Sequence, residues 1–215
     1  LEDSLMVAVL DTSCNTPMAG TAENLARKFE ISREEQDQYA LRSQQEAKRA
    51  KDACYLSEEI VPVEVISRKS TTVFDADDHL RPETTLEGLA KLKPAFDPNS
   101  TVTAGNAPGV NDGASALVVT SVERAKELGV EPMARIVAQA TSGTEPQLVM
   151  MAPVEAIKKV LKKANWSTND VDLIELNEAF AVQAVAITRE LDLDPERLNV
   201  NGGAVALGHA IRQSG

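Results

Sequence analysis

Cysteine is scarce: two in 215 residues, at positions 14 and 54. That is too few for a disulfide framework, and they lack both Cys-x-x-Cys spacing and a nearby histidine. Cys14 and Cys54 therefore read as inert thiols. Positive charge is also in deficit, with 22 Lys plus Arg against 33 Asp plus Glu and a formal net charge of −11. This opposes non-specific nucleic-acid binding, which needs a positive surface. It leaves room for a small anion held by local groups. No apolar run approaches the roughly 20 residues of a membrane span, and no secretory signal is evident. The reading is a cytoplasmic protein without a membrane or nucleic-acid partner. An initiating Met is missing as well: the chain opens on Leu1 and stops at Gly215 in a glycine-rich turn, so it reads as a segment of a longer protein.

What is present suffices for a sizeable core, since 43% of the residues are hydrophobic and 26% charged. Ser32 followed by Glu35 forms a capping box that opens a helix through "REEQDQYALRSQQEAKRAKDA". Tyr39, Ser43, Ala47 and Ala50 fall on one face of it. A shorter helix, "AENLARKF", precedes it. "IVPVEVISR" alternates as a strand, and residues 70–113 read as a long ordered loop with one short helix near Leu86–Leu92. "ASALVVTS" reads as a strand and "VERAKELG" as a helix closed by Gly129.

From Met133 the pattern alternates regularly. "MARIVAQA", "VDLIEL" and "LNV" read as strands, and "PVEAIKKVLKKA" and "EAFAVQAVAITREL" as helices. This predicts a parallel sheet with right-handed crossovers. Lys158, Lys159, Lys162 and Lys163 lie opposite an apolar stripe and read as a solvated helix face.

Ligands of open parallel sheets bind beyond the carboxyl ends of the strands. "ELNEAFA" and "NGGAVALGHA" both sit at such ends, which brings Asn177 and His209 to one edge. That pair suits carbonyl chemistry: an imidazole can donate to an oxyanion or accept a proton, and an amide can donate or hold a water. Two plainer readings stand beside it, Asn177 as a helix N-cap and His209 as a satisfied buried histidine. Thr103–Ser115 lacks the Lys-Ser/Thr of a phosphate loop and reads as a structural turn. His79, among carboxylates, reads as a surface loop residue rather than a metal ligand, and Met150 and Met151 as fillers of a core gap.

Taken with "TAENLARKFEISREEQD", "EEIVPV" and "RPETTLEGLAKLKPAFDPNSTVTAGNAPGVNDGASALV", the motifs "NEAFA" and "NVNGGAVALGHA" closely resemble the thiolases, the acetyl-CoA acetyltransferases and 3-ketoacyl-CoA thiolases, from about Met18 to Gly215. The resemblance implies an α/β thiolase fold, present in part. A mostly helical loop domain would span 1–93, the end of the N-terminal half 94–128, and the first βαβαβ part of the C-terminal half, with its layered mixed or parallel sheet, 129–215. It implies that His209 and Asn177 are catalytic and share an oxyanion hole. Met18, Phe96, Ala104, Gly109, Ala179 and Phe180 would line the pantetheine tunnel, and Arg81 would contact the nucleotide end of CoA. Coenzyme A would be a substrate, with no permanently bound cofactor and no metal.

The implied reaction is acetyl-CoA C-acetyltransfer, with 3-ketoacyl-CoA thiolysis and a non-catalytic CoA- or lipid-binding protein as alternatives. The implied assembly is a homodimer or homotetramer. Both family cysteines, the nucleophile and the acid-base thiol, fall outside this segment, so the segment alone is expected to be inactive and molten or aggregating. Pro108, "LVMMAP", Ala210 and Arg212 depart from the family pattern at positions near the ligand.

Overall fold

The helix expected from Ser32 forms and packs against three later helices. In the computed structural model, which describes residues 3–210, helix α1 (Ser4–Ala8) leads into a small antiparallel pair, β1 (Leu10–Asp11) and β2 (Thr16–Pro17). Helix α2 (Met18–Lys28) buries Ala19, Ala22, Leu25 and Ala26. Helix α3 (Arg33–Asp52) starts at the capping box: the Glu35 amide donates to Ser32 Oγ at 3.2 Å, and the Ser32 amide donates to Glu35 Oε2 at 2.8 Å. Its buried face carries Ala40, Ser43, Gln44, Ala47 and Ala50. Small side chains there let neighbouring backbone come close.

A hairpin follows. Strands β3 (Val63–Ile66) and β4 (Thr71–Phe74) pair antiparallel from Val63–Phe74 to Ile66–Thr71, and both are exposed along their whole length. β4 corrects the reading of residues 70–113 as a loop. Its four residues were too short to show a period, and only the turn at Ser67–Ser70, closed by the Ser67 amide on the Ser70 carbonyl at 2.8 Å, folds them back. Helix α4 (Leu86–Ala90) supplies the expected short helix, capped by Thr85. Helix α5 (Val122–Leu128) ends on Gly129 at φ +65°, a conformation that costs glycine least.

Helices α6 (Ala152–Ala164) and α7 (Ala181–Leu191) form where the pattern placed them, and α8 (Ala204–Leu207) is a single further turn. α7 is the centre of the core: Ala181, Val182, Ala184, Ala186 and Ile187 are buried against α2, α3 and the 3-10 turn at Pro146–Met151. Met150 and Met151 fill that core as expected.

The strands differ from expectation. Ile174 and Leu198 form a parallel bridge, with the Ile174 amide on the Arg197 carbonyl at 2.8 Å and the Asn199 amide on the Ile174 carbonyl at 2.9 Å. The parallel direction between "VDLIEL" and "LNV" is therefore present. However, "ASALVVTS" and "MARIVAQA" form no ladder among the described residues. Leu117 is 89% exposed, Val118 96% and Ile136 71%. Apolar content marks a strand by the surface it would bury, while a ladder needs a neighbour to exchange hydrogen bonds. Helix α6 lies along the second of these segments, with Lys163 Nζ donating to the Gln139 carbonyl at 2.7 Å, but no described segment offers either one a ladder partner. An open groove of about 370 Å³ lined by Val137, Ile157, Leu161, Trp166 and Leu173 marks the same uncovered side, and it holds no candidate site residue.

Candidate active site

Asn177 and His209 are approached from two segments that one buried carboxylate joins. The segment after Ile174 is pinned by Asn199, whose Oδ1 accepts the Leu176 amide at 2.7 Å and whose Nδ2 donates to the Leu176 carbonyl at 2.8 Å. Asn199 sits at φ +45°, in the left-handed region that asparagine tolerates better than most residues. Beyond Asn177, the Ala179 amide donates to Gln183 Oε1 at 3.0 Å, and the Ala181 amide to the Asn106 carbonyl at 3.0 Å. The backbone is thus fixed on both sides of Asn177. The Asn177 side chain is exposed and makes no hydrogen bond among the described residues. It is not the helix cap: the cap position of α7 is Phe180, without a side-chain capping bond. The N-cap reading of Asn177 is set aside on that geometry.

His209 follows α8 and Gly208. Its amide donates to the Gly109 carbonyl at 3.0 Å, and it bridges Val110 in parallel. The ring is half-buried, and burial holds its pKa below the ordinary 6.5, which favours the neutral imidazole. His79 is no plain surface residue: its ring lies against Gly109 so closely that a Cβ there would meet Cε1 at 2.4 Å. Burial, then the Arg81 charge, lower its pKa as well.

The remaining candidates divide. Met18 and Phe180 pack on the same core cluster, together with Ala107. Ala179 is half-buried, and Gly109 carries the contact to His209. Phe96 and Ala104 are exposed, on the two arms of an antiparallel bridge between Pro94 and Thr103. Arg81 is exposed and anchored: its amide donates to Gln44 Oε1 at 2.8 Å, and its Nη1 to the Asp78 carbonyl at 2.7 Å.

The loop "TVTAGNAPG" is held by side-chain hydrogen bonds to its backbone. Glu23 Oε1 accepts the Thr101 and Val102 amides, each at 2.9 Å. Asn106 Oδ1 accepts the Thr103 amide at 2.8 Å, and its Nδ2 donates to Asp37 Oδ1 at 3.0 Å. Of the departures, Pro108 is half-buried, Ala210 is buried, and Arg212 lies outside the described residues.

Glu178 is the residue that sequence reasoning missed. It is 0% exposed. Oε1 accepts from Tyr39 Oη and Asn199 Nδ2, both at 2.9 Å, and Oε2 from Ser43 Oγ and the Val205 amide, both at 2.8 Å. Ser43 Oγ also accepts the Gly203 amide at 3.1 Å. Burial, then the Glu178 charge, push the Tyr39 phenol far above its usual range. Two glycines make room for this junction. A Cβ on Gly203 would lie 2.3 Å from Glu178 Cδ, and one on Gly202, at φ +78°, would collide with the α3 backbone at Ala47 and Ser43. The missed signal was on the α3 face itself: two hydroxyls, Tyr39 and Ser43, sat in an otherwise small apolar stripe and required a buried partner.

The profile of the thiolase N-terminal domain matches residues 1–123, and that of the thiolase C-terminal domain matches residues 130–215. The chain is 52% identical to the human mitochondrial 3-ketoacyl-CoA thiolase over all of its 215 residues, which are 54% of that protein. It is 51% identical over 198 residues to the acetyl-CoA acetyltransferase of Paracoccus denitrificans, covering 92% of this chain and 51% of the other. Among solved structures, the Bacillus anthracis acetyl-CoA acetyltransferase superposes with a TM-score of 0.95 at 47% identity, over 98% of this chain and 53% of that one. The human mitochondrial 3-ketoacyl-CoA thiolase in complex with CoA superposes with a TM-score of 0.94 at 52% identity, over 100% and 53%. The chain spans about half the length of the curated relatives it matches. On these matches and the shared α/β fold, the chain belongs to the thiolase family.

Proposed function

We propose that this chain serves a thiolase-type acyl-CoA acyltransferase, with coenzyme A and acyl-CoA as substrates, as part of a longer protein that supplies the cysteine nucleophile. The specific reaction is acetyl-CoA C-acetyltransfer: two acetyl-CoA give acetoacetyl-CoA and CoA, reversibly. Asn177 and His209 form the oxyanion hole for the thioester, His209 as a neutral donor and Asn177 directly or through a water. The observation that carries this is the junction at Glu178, which ties the segment before Asn177 to the turn before His209. Residues 1–93 act as loop domain, 94–128 close the N-terminal half, and 129–215 open the C-terminal half. The segments 114–121 and 133–140 are strands that pair with the remainder of that protein, which assembles as a homodimer or homotetramer.

A second reading is thiolysis of longer 3-ketoacyl-CoA. The identity to the human mitochondrial 3-ketoacyl-CoA thiolase across the whole chain favours it. The test is thiolysis by the full-length protein of acetoacetyl-CoA and of longer 3-ketoacyl-CoA, with calorimetric titration of CoA. The preferred chain length separates the two readings. CoA binding without turnover overturns both in favour of a non-catalytic binder, and no CoA binding removes that as well.

A further inference from the structure

We infer that Glu178 is a positioning residue for the acyl-transfer site, a buried acceptor that sets Asn177 and His209 relative to one another; this rests on the thiolase reading above. It touches three elements at once. Through Asn199 Nδ2 it shares a partner with the Leu176 carbonyl, on one side of Asn177. Through the Val205 amide it holds the first turn of α8, which runs directly into Gly208 and His209. Through Tyr39 and Ser43 it fastens both to α3. The Asn177 side chain is left out of this network while its flanking backbone is fixed by it. That arrangement suits a donor that must point at a ligand without being spent on the protein.

The chemistry of the four partners makes the carboxylate irreplaceable by its amide. Tyr39 Oη and Ser43 Oγ are hydroxyls and can turn to accept. The other two, Asn199 Nδ2 and the Val205 amide, can only donate, and they face different oxygens of Glu178. In Glu178→Gln, whichever way the amide is flipped, its Nε2 meets one of these obligate donors. One side of the junction must then move, either the segment carrying Asn177 or the turn carrying His209. None of the four partners of Glu178 is a residue assigned to CoA, so the loss falls mainly on the geometry of the hole rather than on capture of CoA.

The test is steady-state thiolysis of acetoacetyl-CoA by the full-length protein and its variants. Glu178→Gln is expected to lower kcat at least about tenfold, with KM for CoA held within about threefold, the pattern of an interaction used in the transition state. Ser43→Ala, which removes one of the two donors to Oε2, is expected to lower kcat by a smaller factor with the same split. The double variant is expected to fall no further than Glu178→Gln alone, because both act on one junction. If Glu178→Gln fails to fold, Ser43→Ala and Tyr39→Phe decide: a lower kcat at constant KM supports the role, and an unchanged kcat in both overturns it. An active wild type whose Glu178→Gln variant keeps kcat within about twofold, while Asn177→Ala loses activity, defeats the assignment of Glu178 alone. A wild type that binds CoA but turns nothing over defeats the thiolase reading itself.

Discussion

The surroundings of Glu178 and the segment 114–140 invert the usual sorting of residues. In the first, a carboxylate, a tyrosine hydroxyl, a serine and an asparagine meet in the interior. In the second, Leu117, Val118, Met133 and Ile136 stand in solvent. The difference is one of available partners. Both carboxylate oxygens of Glu178 are satisfied by groups from α3, α8 and Asn199, so burial of the side chain is tolerable. The apolar segments would gain from burial but have no neighbouring strand among the described residues to complete their backbone bonds. Polarity sets the cost of burial, and the presence of a complement decides whether it happens.

That contrast can be broken at its strongest point first. Leu198 is 1% exposed and carries the parallel bridge to Ile174. Leu198→Ala is expected to cost about 2–5 kcal/mol in chemical denaturation of the full-length protein. Loss of less than about 1 kcal/mol would mean the junction does not depend on the core beside it. Next, His209→Ala and Asn177→Ala are each expected to reduce kcat about 10²–10³-fold with a well-folded protein, as for removal of one oxyanion donor. A change only in KM would assign them to binding.

Val118→Ser sharpens the other side of the comparison. In the full-length protein it should cost about 1–3 kcal/mol in chemical denaturation, the penalty of a buried, unpaired hydroxyl. A shift within about 0.5 kcal/mol, as at any exposed site, would show that Val118 stays uncovered. Ser32→Ala removes the capping box of α3 and is expected to cost about 1 kcal/mol, read as a lower thermal midpoint.

The smallest effect is that of pH. The pKa of His209 is lowered by burial from 6.5. The unfolded chain then binds the proton first, so this group's contribution to stability falls as pH drops from 6.5 toward the folded value. The acid limb of kcat/KM should accordingly lie below 6.5, and a limb above 6.5 would contradict the observed environment.

Helices were the legible part of this sequence because their boundaries are local. The Ser32–Glu35 pair, the stripe of α6 and the glycine after α5 each specify an end or a face within a few residues. Strands were legible as composition only: "ASALVVTS" has the residues of a strand, yet no ladder forms there among the described residues, because pairing needs a partner that composition does not specify. The reading that puts Asn177 and His209 on one edge rests on the order strand, helix, strand, which fixes where loops emerge. Glu178 could not be read this way, since its partners Tyr39 and Ser43 lie far away in sequence and its charge gave no hint of a buried position. Its neighbour Asn177 drew attention through its chemistry, while Glu178 looked like an ordinary acidic residue at a helix start.

The approach of Gly202 and Gly203 to α3 has a consequence for building hybrids of this protein with its relatives. The small face at Ser43 and Ala47 and the glycine pair interlock without spare volume. A crossover placed anywhere between residues 52 and 199 inherits the two sides from different parents. Such chimeras should survive only when both parents carry matching small residues at these four positions, so a successful recombination map would show these positions travelling together.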